Sequence, residues 1–81
     1  MNLVEFSELI VKKLVKEPEL VKVQMFEGED ENVVEIIVAE DDMGRVIGKN
    51  GKTINSIRTI VAAASSLTEE SRRVRINIDS Y

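Results

Sequence analysis

The sequence predicts an α+β domain, with helices covering one face of a small three-stranded mixed sheet. Three observations carry this: stretches of helical period alternate with stretches of strand period, their order is helix, strand, strand, helix, helix, strand, and the last two strands flank a helix pair. A chain of 81 residues buries only about 60% of the surface its unfolded form exposes, so it has room for one core. The expected domain therefore spans residues 1–81, with no internal repeat, linker or low-complexity tract.

Leu3, Phe6, Ile10 and Leu14 recur at helical spacing, with Lys12, Lys13 and Lys16 on the other side. This predicts an amphipathic helix over residues 3–16, stopped by Pro18. From Leu20 to Phe26, Val21, Val23 and Met25 alternate with Lys22 and Gln24, the period of a half-buried strand. Gly28 to Asn32 reads as a turn. Val33 to Ala39 is apolar except at Glu35 and rich in β-branched residues, which predicts a central strand covered on most of both faces.

Asp41 or Asp42 suits the N-cap of a short helix from Met43 to Ile47, ended by Gly48. A longer helix starts near Gly51 and runs to about Ser66, with Ile54, Ile57, Val61 and Ala64 on one stripe. After a loop around Thr68 to Ser71, Val74, Ile76 and Ile78 alternate with Arg73, Arg75 and Asn77 as a last strand. The first two strands should form an antiparallel hairpin, and the last should lie parallel to the second through a right-handed crossover.

Composition removes most enzyme chemistry. The chain has no cysteine and no histidine, so neither disulfides, thiolate metal sites nor the usual neutral-pH general base is present. Asp41 and Asp42 are adjacent carboxylates, but a helix cap explains them and no nucleophile or metal-ligand pattern accompanies them. A non-enzyme without metal or cofactor is expected. No apolar run is long enough for a signal sequence or a membrane span, so a soluble cytoplasmic protein is the expectation.

The net charge of -4 hides a division. Residues 1–40 carry 10 acidic and 4 basic side chains, whereas residues 41–81 carry 5 acidic and 7 basic ones. From Met43 to Thr68 there are Arg45, Lys49, Lys52 and Arg58 and no acid. The local field decides where an anion docks. In the middle of this window, Gly48 and Gly51 bracket a two-residue tip between the two helices. Gly48 can end one helix at positive φ, Gly51 permits close approach, and Lys49 and Asn50 must project outward. The N–H groups at the start of the second helix then face a potential phosphate. The bare spacing on its own fits a tight structural connection between helices better than a ligand site.

The full string is more specific. Val46-Ile47-Gly48-Lys49-Asn50-Gly51 followed by Ile54 resembles the KH-domain signature (V/I)IG-x-x-G-x-x-I, whose GXXG loop clamps the backbone of about four nucleotides. The element order resembles the prokaryotic, type II, form of that domain, and the likeness covers essentially the whole chain. Among type II domains the chain is similar to the KhpA-like proteins, small bacterial RNA-binding proteins made of one stand-alone KH domain. That resemblance implies single-stranded RNA as ligand, a role as RNA chaperone or post-transcriptional regulator, and a cytoplasmic, membrane-free location. It also implies a homodimer or a complex with a larger KH protein, KhpB (Jag-like). Carried over residue by residue, the clamp falls on Gly48, Lys49, Asn50 and Gly51. Arg45, Lys52 and Arg58 then supply flanking phosphate contacts, and Val46, Ile47 and Ile54 are groove or core positions. Many family loops carry a basic residue or glycine where Asn50 stands, which shifts weight to Lys52 and Arg58.

The aromatics, Phe6, Phe26 and Tyr81, lie away from the turn, so stacking platforms for bases are disfavoured. Arg72, Arg73 and Arg75 form a second basic cluster, read as the solvated face of an edge strand or as an extension of the RNA path. A second reading is a protein-interaction module with a merely structural turn. Val33, Ile37 and Phe26 are out of step with the inward residues and form an apolar patch on the open sheet face unless the first helix covers them. A helix-turn-helix for duplex DNA fits less well, because the second helix offers few base-reading side chains beyond Asn55, Ser56 and Arg58.

Overall fold

The computed structural model describes residues 2–66 and 73–81. The first helix, α1 (Leu3–Leu14), starts at a capping box: Asn2 accepts from the Glu5 N–H at 2.8 Å, and Glu5 accepts from the Asn2 N–H at 3.2 Å. Its buried ridge is Leu3, Ser7 and Val11, with Phe6 and Ile10 packed beside it. Leu14, expected on that ridge, is exposed. The helix also ends two residues earlier than its period predicts. The Lys16 and Glu17 N–H groups, which a continuing helix would use internally, donate instead to the Asp42 carboxylate.

A single turn of 3₁₀ helix, Pro18–Leu20, leads into β1 (Lys22–Glu27), which pairs antiparallel with β2 (Glu31–Val38). The short helix α2 (Met43–Ile47) and the long helix α3 (Lys52–Ser66) carry the chain across to β3 (Arg73–Ser80). That strand lies parallel to β2, giving the sheet order β1-β2-β3 and the expected order of elements. The expected loop around Thr68 to Ser71, and Arg72, lie outside the described residues.

Strand register decides the core. Val34, Ile36 and Val38 of β2 and Ile76 of β3 point to the helix side, where they meet Leu3, Val11, Val46, Ile54, Ile57 and Val61. The alternate residues of β2, Val33, Glu35 and Ile37, stay half-buried. This corrects the expectation of a central strand covered on most of both faces. All helices lie on one side, so the apolar run of β2 behaves as an alternating strand with one covered face. The open face carries Phe26 opposite Val33 opposite Arg75, and Lys22 opposite Ile37 opposite Asp79. Phe26 is 52% exposed, so α1 does not cover the patch.

Candidate nucleic-acid interface

The turn between α2 and α3 is built on positive φ angles. Gly48 has φ 77 and ψ 170, a combination open only to glycine, and its N–H closes α2 on the Gly44 carbonyl at 2.9 Å. A Cβ there would stand 2.8 Å from the backbone nitrogen of Thr53 and closer still to its hydroxyl. Asn50 follows at φ 57 and ψ 25, the left-handed conformation that asparagine tolerates best after glycine. Gly51, at φ 75, donates to the Gly48 carbonyl at 3.1 Å. A Cβ on Gly51 would meet nothing nearer than 3.8 Å, so its requirement is conformational; the expected close approach is found at Gly48.

Val46 and Ile54 are buried and Ile47 packs against the same core, so both flanks of the turn are anchored. Lys49 and Asn50 at the tip are exposed, as are Lys52, Asn55 and Arg58 along the start of α3. At the entry to α3 the Gly51 and Lys52 N–H groups donate to the Gly48 and Lys49 carbonyls, and the positive end of the α3 dipole lies at this tip. Among the described residues neither Lys49 nor Lys52 takes part in an ion pair.

Two expected phosphate contacts are tethered. Arg58 donates to Asn55 Oδ1 at 2.9 Å and reaches the Ile76 carbonyl at 3.5 Å, which links α3 to β3. Beside it, Arg58, Ala62, Arg73, Arg75, Ile76 and Glu31 line a groove along the β3 edge of the sheet. There Arg75 stands 3.6 Å from Glu31 in a solvated pair worth little. Arg45 donates through one guanidinium nitrogen to the Asp41 carbonyl and to Asp42 Oδ1, both at 3.0 Å.

Asp42 stands where the sequence predicts a cap but has a different role. It occupies the N-cap of α2 yet makes no side-chain cap bond. Its carboxylate is buried, 1% exposed, and accepts from the Lys16 N–H at 3.0 Å, the Glu17 N–H at 3.1 Å and Arg45. The Lys16 N–H holds its pKa below the ordinary carboxylate value, burial opposes that, and the Glu17 N–H and Arg45 lower it further. An acid ahead of a short helix reads as a cap; nothing local reveals partners 25 and 26 residues away.

A glycine-bracketed, positive-φ turn on the helix side of an α-β-β-α-α-β sheet defines a KH domain. The family model described as KhpA/KhpB, KH domain, matches residues 4–78, and the chain belongs to that family. Among relatives, it is 38% identical over 77 residues to the RNA-binding protein KhpA of Borreliella burgdorferi, covering 95% of this chain and 92% of that one. It is 40% identical to the RNA-binding protein KhpA of Thermotoga maritima, over 91% of this chain and 95% of that one. Its identity to the RNA-binding protein KhpA of Clostridium perfringens is 42%, over 91% and 96%. In fold it is similar to Era, solved in complex with MgGDPNP and nucleotides 1506-1542 of 16S ribosomal RNA. The TM-score is 0.68 at 24% identity, over 96% of this chain and 29% of that one.

Among the described residues no helix is long and apolar enough to cross a membrane, and no cluster of three or more acidic side chains could hold a metal ion.

Proposed function

We propose that the protein is a non-catalytic RNA-binding protein that clamps a short single-stranded segment of RNA on the turn Gly48–Gly51. The observation that carries this reading is an exposed Lys49, without an ion pair among the described residues, flanked by Gly48 and Asn50 at positive φ inside a window of four cations and no acid. Relatives of nearly the same length named as RNA-binding proteins support it. The phosphate backbone lies against Lys49 and Lys52 at the positive end of α3, with Asn50 toward sugar or base and Ile47 at the groove wall. From there the strand follows α3 past Arg58 toward the Arg73 and Arg75 groove.

A single clamp of this size binds weakly, so useful affinity calls for a second RNA-binding unit held nearby. A homodimer, or a complex with a KhpB-type protein, supplies it, and an RNA chaperone or post-transcriptional role in the cytoplasm follows from that mode. Changing Lys49 and Asn50 together to aspartate removes the cation and adds repulsion at an exposed site. Affinity for a single-stranded RNA should fall by at least ~100-fold, two charge-assisted bonds' worth, with an unchanged circular dichroism spectrum. RNA binding equal to wild type would sink the clamp.

A further inference from the structure

We propose that Asp42 is a positioning residue for the RNA clamp: it locks α2 to the end of α1 and aims Arg45 at the bound backbone. This rests on the clamp reading above. The helix α2 has five residues, too few to hold a direction by its own hydrogen bonds. At its far end Val46 is buried in the core, and Gly48 begins the turn directly after Ile47. At its near end the orientation comes from the Asp42 carboxylate, which joins the α2 start to two backbone N–H groups just past α1. The same carboxylate takes one N–H of Arg45 Nη1 while the Asp41 carbonyl takes the other. The Nε and Nη2 donors of Arg45 have no acceptor among the described residues, and the side chain is 39% exposed. A guanidinium held at one nitrogen with the rest of its fork presented to solvent is prepared for a phosphate, because less side-chain freedom is lost on binding.

Two effects of Asp42 on an anionic ligand oppose each other. Its charge offsets that of Arg45 and weakens attraction, whereas its bonds fix the geometry that attraction uses. Asp42→Asn separates them by sign. Removing the charge alone tightens RNA binding; removing the positioning weakens it, since an amide cannot accept from Lys16, Glu17 and Arg45 with both atoms.

The test is RNA affinity and its salt dependence for Asp42→Asn, Arg45→Ala and the double variant, read by fluorescence anisotropy at a temperature where each is folded by circular dichroism. The expected result for each single variant is a loss of about tenfold, the worth of one charge-assisted bond. The slope of log affinity against log salt should shrink by about 0.7, one phosphate contact on a single strand. The double variant should be no weaker than either single one. Wild-type or tighter binding by Asp42→Asn, or losses that add, overturns the proposal. Should Asp42→Asn not fold, Arg45→Lys decides instead: it keeps the charge and leaves both Asp42 backbone bonds in place, and it should lose most of the same factor. Full affinity in Arg45→Lys overturns the positioning role. The Lys49→Asp, Asn50→Asp variant runs alongside: its failure to lose RNA refutes the clamp itself, whereas its loss beside an intact Asp42→Asn refutes only this inference.

Discussion

The two broad surfaces of this domain both carry exposed charge, yet they differ in how their charges are used. On the open sheet face Arg75 faces Glu31, Lys22 lies 5.8 Å from the Tyr81 ring centroid, and Glu35 and Asp79 balance the cations. On the helix side Lys49 and Lys52 have no ion-pair partner among the described residues, and the backbone between them is held in conformations that only glycine and asparagine accept readily. Surface charge is therefore uninformative by amount. What singles out a binding surface is charge left uncompensated on a backbone with nowhere to relax.

The sharpest way to break this comparison is to make the same change in charge on each surface. Lys22→Asp with Gln24→Asp alters net charge as much as Lys49→Asp with Asn50→Asp. RNA affinity should change by less than about threefold in the sheet-face pair, the size of a screened long-range effect, against at least ~100-fold in the turn pair. Comparable losses from both would mean that overall charge, not the turn, governs binding.

The glycines give the next largest contrast. At Gly48 a methyl group meets the Thr53 backbone and φ 77 with ψ 170 is closed to alanine. Gly48→Ala should cost about 3 kcal/mol in urea unfolding. Gly51 has open space and only a positive φ, so Gly51→Ala should cost about 1 kcal/mol. Equal costs would place the strain of the turn elsewhere.

Acid probes the α1–α2 joint through Asp42. Asp42 has a folded pKa below its ordinary value. Its contribution to stability is fully present above the unfolded value, about 3.9, and is lost as pH falls through the lower folded value. Asp42→Asn should unfold at lower urea than wild type at pH 7, and the gap should narrow as pH falls below the unfolded value. A gap that stays constant into acid would mean that the carboxylate's charge contributes nothing.

The smallest effect belongs to the sheet patch. Phe26, Val33 and Ile37 lie exposed or half-buried on that face, where they offer a contact between copies. Self-association at micromolar concentration that disappears in Ile37→Glu by analytical ultracentrifugation, without unfolding, would make this face the dimer surface. The exposed side of α3 around Ile60, which is 47% exposed, is the alternative if Ile37→Glu changes nothing.

The legible part of the molecule was local. Period and punctuation were enough for the element order, the hairpin and the Gly48 stop, because each depends on neighbours in sequence. The turn was legible as a motif, and its three positive φ angles follow from the residue types placed there. Pairwise commitments across the chain were not legible. Arg45 and Arg58 read as free cations and are tethered by Asp42 and by the Ile76 carbonyl. Asp42 read as a cap and is a tertiary joint, which also shortens α1. The open side of β2 was legible only as one of two readings, because β-branched residues at Val33 and Ile37 look the same whether a layer covers them or not.

The central claim is that RNA lies on the turn, and an NMR titration of backbone amides with a short single-stranded RNA tests it most directly. Shifts concentrated from Arg45 through Ile54, extending to Arg58, are the expected result. Shifts centred on Val33, Ile37 and Asn77, with Gly48 to Lys52 unmoved, would contradict it.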